Sequence, residues 1–224
     1  MNIFATRTIQ YRTDAGEIKD VILTVFEPVP EHNGEWQCAF QFHPPENQRK
    51  FTMRGQGWIS AFIGCLSVAR GFIEHPTQER TSWQGMMHSG LPWHHEKPEG
   101  YQSPPIPPSE ANPGNLEILT KVRLGIPHDA NDVHELILIV YRPLAVDEMK
   151  WKCAFAFGEG ANEPVRYGIG ADSIEALLDA LALARITYES MIPNAWKPPE
   201  SDEFDSVEFW PYKIGRAVFT EPAK

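Results

Sequence analysis

Apolar and polar residues alternate along several short segments of the chain, and each of these segments predicts a β-strand. The clearest is 36–43, in which Trp36, Cys38, Phe40 and Phe42 share one face and smaller or polar residues share the other. Three neighbouring segments are rich in β-branched residues or alternate in the same way, and they lie at 6–11, 19–27 and 49–54. Together the four segments predict an antiparallel meander.

In the next segment the apolar residues recur every three to four positions, and this spacing predicts a helix from about Trp58 to Glu74. Its apolar residues, which include Phe62 and Leu66, recur at helical spacing, and Pro76 ends the segment. One helix across the apolar face of a four-stranded sheet is an α+β unit.

The unit occurs twice. Residues 36–42 return as 151–157 with the same Trp, Cys and Phe positions, an offset of 151 − 36 = 115. The same ungapped offset pairs many other residues, among them Pro28 with Pro143, Gly55 with Gly170 and Arg70 with Arg185. We interpret this colinear series as a tandem duplication.

The second copy predicts strands at 122–126, 135–141, 151–157 and 165–169. Asp172 and Glu175 then predict a capping box at the start of its helix. The chain therefore divides into a first module (1–75), a Pro-rich connector and arm (76–115), a second module (116–192) and a C-terminal arm (193–224). We expect the two modules to pack together, since each is too small to bury a large core.

The net charge restricts the class of partner. Asp and Glu number 30 against 20 Lys and Arg, which gives −10 and disfavours nucleic acid as a ligand. An acidic surface suits a basic protein partner. The charge is uneven: 7 basic and 8 acidic residues in the first module give −1, and 7 basic and 12 acidic residues in the second give −5.

We predict a cytoplasmic protein without a membrane segment, because no signal segment and no apolar run of membrane-spanning length occurs. The three cysteines, Cys38, Cys65 and Cys153, are expected to be buried reduced thiols. Catalysis by Cys38 or Cys153 is disfavoured, because no His falls at matching positions in the two modules.

Two further groups of residues have both a structural and a functional interpretation. Arg70 and Arg185 each precede an acid by four residues, which predicts surface ion pairs within a helix or bonds to an arm, with a duplicated binding site as the minor alternative. His88, His94, His95 and Glu96 carry metal-ligand chemistry but lack a recognised ligand spacing. We therefore predict no catalytic residue, no metal site and no cofactor.

The strand and helix motifs of the second module resemble an uncharacterised bacterial family, one of the domains of unknown function. The resemblance rests on Trp-x-Cys-x-Phe at 151–155, and on Gly170, Asp172 and Ser173 before an Ala/Leu-rich helix. The first module departs from it, with Gly57-Trp58 in place of Asp-Ser. The resemblance implies a small bacterial cytosolic protein and carries no established activity.

The C-terminal arm interleaves acidic and aromatic residues, and it is the predicted partner-binding site. Aromatic side chains supply interface energy and charge supplies steering. The residues concerned are Glu200, Asp202, Glu203, Phe204, Asp205, Glu208, Phe209 and Trp210. The structural alternative is a solvated tail whose aromatic residues dock on the body of the protein.

These patterns favour a non-catalytic binding protein, an immunity-type antitoxin that binds and neutralises a basic toxin. The alternative is an enzyme or small-ligand binder that uses a cleft between the modules. That cleft would be lined by the His-rich connector or by Arg70 and Arg185.

Overall fold

A computed structural model describes residues 1–12, 16–43, 50–74, 81–82, 91, 105–127, 133–158 and 163–192. The first module contains β1 (Ile3–Arg12), β2 (Ile18–Phe26), β3 (Val29–Pro30), β4 (Trp36–His43), β5 (Phe51–Gly55) and α1 (Trp58–Glu74). The connector contributes β6 (Thr81–Ser82). The second module contains β7 (Ile118–Pro127), β8 (Val133–Tyr141), β9 (Leu144–Asp147), β10 (Lys150–Phe157), β11 (Arg166–Gly170) and α2 (Ser173–Met191).

Each module is an antiparallel sheet with one helix on its apolar face. In the first sheet β1, β2, β4 and β5 pair in that order, and the short strands β3 and β6 add to β4 and β1. In the second sheet β7, β8, β10 and β11 repeat the order, and β9 adds to β10. The predicted α+β fold of two modules, each a meander with one helix, is confirmed.

The repeat extends to small irregularities in the strands. The register of the β1–β2 pair shifts between Ile3 and Ala5, and that of the β7–β8 pair shifts between Ile118 and Thr120, which are the equivalent positions. This irregularity, of the β-bulge type, recurs although the surrounding sequences differ. It is therefore a shared feature of the two modules.

Two equivalent glycines allow each helix to start close against its own sheet. A Cβ atom at Gly170, the last residue of β11, would overlap the backbone nitrogen of Ala176 in α2. A Cβ atom at Gly55 would overlap the backbone nitrogen of Ala61 in α1 in the same way. Both positions need glycine for close approach rather than for a turn, since neither has a positive φ.

One continuous hydrophobic core runs through both modules. It contains β-strand residues such as Leu23 and Phe40 from the first sheet, Leu138 and Phe155 from the second, and the inner faces of both helices. The expected packing of the modules on each other is therefore observed among the described residues. Neither described helix has the length and hydrophobicity that crossing a bilayer requires.

Candidate functional site: the interface between the modules

A buried ion pair joins the two modules. Arg7 lies in the middle of β1 between Ala5 and Ile9, and all three side chains point towards the core. Its Nε donates to Asp172 Oδ2 at 2.7 Å, and its Nη2 donates to Oδ1 at 2.8 Å. The Arg7 side chain is 1% exposed and that of Asp172 is 20% exposed. This two-bond geometry is the strongest that arginine and a carboxylate can adopt.

Asp172 also begins α2. Its Oδ1 accepts a hydrogen bond from the backbone nitrogen of Glu175 at 2.7 Å, which satisfies one of the free N–H groups at the helix start. Glu175 in turn accepts from the backbone nitrogen of Ala171 at 2.5 Å. The predicted capping box is thus formed, except that the Glu175 side chain accepts from the N–H of Ala171 instead of that of Asp172. Asp172 caps its own helix and holds β1 of the other module.

The ion pair has no counterpart at the equivalent positions of the repeat. The repeat places Val122 at the position of Arg7 and Gly57 at the position of Asp172. Val122 is buried, and Gly57 exchanges hydrogen bonds with Ser60 at 3.0 Å as the local substitute for an acidic cap. The Arg–Asp pair is therefore specific to this combination of the two modules and is not part of the repeated unit.

A second link joins residues that are themselves equivalent in the repeat. Arg142 Nη2 donates to Glu27 Oε1 at 2.9 Å, and 142 − 27 = 115. Arg142 Nε also donates to Glu117 at 3.0 Å. Partial burial acts to lower the pKa of Arg142, but the hydrogen bonds to Glu27 and Glu117 outweigh it and raise the pKa above its usual value.

The contact joins repeat-equivalent positions that carry opposite charges. Identical residues at both positions would bring like charges together, so the divergence of Glu27 and Arg142 fits this contact.

The cysteine thiols are bound to backbone and buried. Cys38 Sγ donates to the carbonyl oxygen of Phe26 at 3.4 Å, and Cys153 Sγ donates to that of Tyr141 at 3.3 Å. Burial, with the charge of Asp179 as a smaller contribution, raises the pKa of Cys153. A hydrogen bond with Cys38, then burial, raises that of Cys65. The three thiols are free and buried, as predicted, and a raised pKa opposes thiolate chemistry.

The two equivalent arginines have structural contacts. Arg70 Nη1 donates to the carbonyl oxygen of Leu91 at 2.6 Å. This contact between α1 and the first arm is one of the two structural roles that the sequence predicted for these arginines. Arg185 Nε donates to Glu189 at 2.8 Å, which is the predicted i,i+4 pair. The prediction that this pair lies on the surface is wrong, since the Arg185 side chain is only 8% exposed.

The connector covers the outer face of the second sheet. Glu110 exchanges two backbone hydrogen bonds with Val165, and the side-chain nitrogen of Asn112 donates to the Tyr141 hydroxyl at 3.1 Å. Under this segment lies a second, smaller apolar cluster of Ile139, Tyr141, Ala154, Ala156 and Val165. Sequence reasoning did not identify Glu110 and Asn112 as the residues of this cover, because a Pro-rich segment carries no periodic signal.

Several predicted site residues lie outside the described ranges. They are the partner-binding set Glu200, Asp202, Glu203, Phe204, Asp205, Glu208, Phe209 and Trp210, together with the histidine group His88, His94 and His95. Within the described ranges, no group of three or more His, Cys, Asp or Glu side chains is placed to hold a metal ion.

Comparison with known proteins gives one match. Residues 5–93 match the model of a family described as a domain of unknown function, DUF6968. The matched range covers most of the first module and continues through the arm to Trp93, so it includes Leu91 and its contact with Arg70. No curated protein and no solved structure matches the chain.

Proposed function

We propose that this chain is a non-catalytic protein-binding protein of the bacterial cytoplasm, an immunity-type antitoxin that binds and neutralises a toxin. The observation that supports this most is the hydrophobic core that the two modules share. A ligand site usually needs a concave pocket with converging polar groups. Among the described residues, buried apolar side chains of both modules instead belong to one cluster.

The polar groups at the interface support the same proposal. Arg7 is bonded twice to Asp172, and Arg142 is shared between Glu27 and Glu117. These contacts hold the modules together and use the donors and acceptors that a substrate would need. The alternative of a ligand cleft lined by Arg70 and Arg185 has less support, because their described contacts are with Leu91 and Glu189.

The charge distribution indicates the chemistry of the partner. The second module has a charge of −5, and five acidic residues follow within 200–208 of the C-terminal arm. A partner with a basic surface would be steered towards this end of the chain and anchored by the adjacent aromatic residues. The three free, buried thiols are suited to a reducing cytoplasm.

The test is direct binding of the full-length chain to the purified product of the neighbouring reading frame. We expect tight binding that weakens as salt is raised, and protection of cells that express both proteins. The variant D202N/E203Q should weaken binding by about tenfold through lost electrostatic attraction. The control E17Q/D20N makes the same chemical change at exposed positions of the first module and should leave binding unchanged.

Two results would overturn the proposal. One is the absence of both binding and protection with the neighbouring gene product. The other is an equal effect of the two double variants, which would remove the C-terminal arm as the binding site.

A further inference from the structure

We propose that an exposed apolar patch on the second module binds the same patch of a second copy of this chain, so that the protein forms a two-fold dimer in solution. The patch consists of Leu144, Val146, Met149 and Ile169. This inference goes beyond the proposed function, because it concerns the assembly of the chain itself. It rests on the exposure of the patch, its difference from the first module and its charges.

The patch lies on the outer face of the second sheet, where β9 pairs with β10. Leu144 and Ile169 flank Lys152 on the neighbouring strands, so these three side chains form one row. Val146 follows two residues later on β9, and Met149 lies in the turn after it. The four apolar side chains are between 50% and 69% exposed. A single exposed apolar residue is ordinary on a protein surface, whereas a contiguous group marks an interaction site.

The turn between β9 and β10 holds Met149 in its exposed position. The backbone nitrogen of Met149 donates to Asp147 Oδ1 at 2.9 Å, a local bond that is typical of Asp in turns. β9 is exposed along its whole length, and among the described strands it pairs with β10 alone. A hairpin tied in this way presents the patch at little cost in conformational entropy when it binds.

The first module has a polar surface at the equivalent positions. Val146 corresponds to Glu31 and Ile169 corresponds to Arg54, each with the offset of 115. Glu31 and Arg54 form an ion pair at 2.9 Å. The fold of the unit therefore does not require apolar residues here. Their occurrence in the second module alone indicates a role in binding rather than in folding.

The charges around the patch suit a second copy of the chain. Asp147 and Glu148 lie at the tip of the hairpin and Lys150 and Lys152 lie on β10, so residues 144–152 have no net charge. The whole chain carries −10, so two copies repel each other elsewhere. A two-fold rotation brings the acidic tip of each copy towards the lysines of the other. A basic partner would gain little attraction from a neutral patch.

The size of the patch sets the expected strength of the dimer. Four side chains on a hairpin and its neighbouring strand cover only part of the roughly 800 Å² per partner that a standard stable interface buries. We therefore expect a reversible dimer with a dissociation constant on the order of 10 µM.

Sedimentation velocity of the full-length chain, at concentrations from about 1 to 200 µM that bracket this constant, tests the proposal. The wild type should change from monomer to dimer over this range. The variant V146E/I169R copies the Glu31–Arg54 pair of the first module, so it should keep the wild-type circular dichroism and weaken the dimer by at least about tenfold.

The control I18E/I22R introduces the same charges at exposed positions of β2, and it should dimerise like the wild type. A wild type that stays monomeric throughout would overturn the proposal. Dimerisation of V146E/I169R at the wild-type concentration would overturn it as well.

Hydroxyl-radical footprinting of the wild type does not depend on the folding of a variant. Met191 is 46% exposed at the end of α2, outside the patch, and serves as the internal reference. Oxidation of Met149 relative to Met191 should slow by about fivefold as the concentration rises through the transition, because the dimer covers Met149. A constant ratio between the two methionines would contradict an interface at the patch.

Discussion

Arg7 in the first module and Asp172 in the second form a buried two-bond ion pair, and this pair ties a strand of one repeat to the helix start of the other. The guanidinium of Arg7 is almost entirely removed from water. A lone charge in that position would be costly, so we expect each module to be less stable without the other.

Arg7→Met should destabilise the protein by about 3 kcal/mol, because it leaves the Asp172 carboxylate without its cation in a half-buried site. Urea denaturation measures the change. The control Arg54→Met breaks an exposed ion pair with Glu31, and it should cost less than about 1 kcal/mol.

The double variant R7M/D172S should recover part of that stability. Serine keeps the helix cap but carries no charge, so the unpaired carboxylate is removed while α2 retains a good first residue. A double variant that is less stable than R7M alone would contradict the electrostatic explanation.

Gly170→Ala should cost more than about 2 kcal/mol, since the added methyl group would force α2 away from β11. Gly64→Ala is the matched control. Gly64 lies within α1 with open space around the added methyl group, so alanine should be neutral or stabilise by up to about 1 kcal/mol. Thermal unfolding of both variants checks the difference, and equal losses would refute the close-approach role of Gly170.

Glu27→Arg should weaken the interface, because it places two arginines side by side where Glu27 now binds Arg142. We expect a loss of about 1 kcal/mol at low salt that shrinks as salt screens the repulsion. The swapped variant E27R/R142E restores opposite charges between positions 27 and 142 and should regain part of the stability, because the new carboxylate at position 142 would lie beside Glu117. A loss that is independent of salt would point to packing rather than charge.

Tyr188 predicts a loss of stability at alkaline pH. Its hydroxyl donates to the carbonyl oxygen of Gly125 at 2.5 Å, and burial raises its pKa from 10.0 to about 12. A raised folded-state pKa stabilises fully below pH 10, and this contribution is lost as the pH rises towards 12.

Tyr188→Phe provides the matched comparison. Near pH 8 it should cost about 1 kcal/mol through the lost hydrogen bond. Urea titrations at several pH values should show the wild-type advantage over Tyr188→Phe falling between pH 10 and 12. A constant difference would show that Tyr188 does not titrate with the predicted shift.

The three thiols should react slowly with an aromatic disulfide reagent at pH 8 while the protein is folded. All three are buried, and the raised pKa values of Cys65 and Cys153 keep those two protonated. In denaturant all three should react quickly. A native thiol that reacts at the denatured rate would contradict the buried assignment and reopen the possibility of cysteine chemistry.

The main elements could be predicted because each has its own periodic signal. The helix at Trp58–Glu74 and the strand at Trp36–His43 were predicted to the residue. The strands β3, β6 and β9 were missed, because elements of two to four residues are too short for periodicity and depend on a partner strand. These strands form because a neighbouring strand is available for pairing, and the local sequence does not show that neighbour.

The interface could be predicted only in part. Arg7 sits on a buried strand face, where a single sequence gives no reason to expect a charge, and its partner lies 165 residues away. Glu27 and Arg142 did carry a signal, since opposite charges occupy equivalent positions in the repeat. The sequence alone does not place these two positions against each other, because their contact depends on how the modules pack.

The central claim is that the two repeats form one folded body with a shared hydrophobic core. Equilibrium urea unfolding of the full-length chain, followed by both tryptophan fluorescence and far-UV circular dichroism, tests this most directly. A shared core predicts a single transition that coincides for the two probes. Two separate transitions would show that the modules fold independently, and would contradict the account.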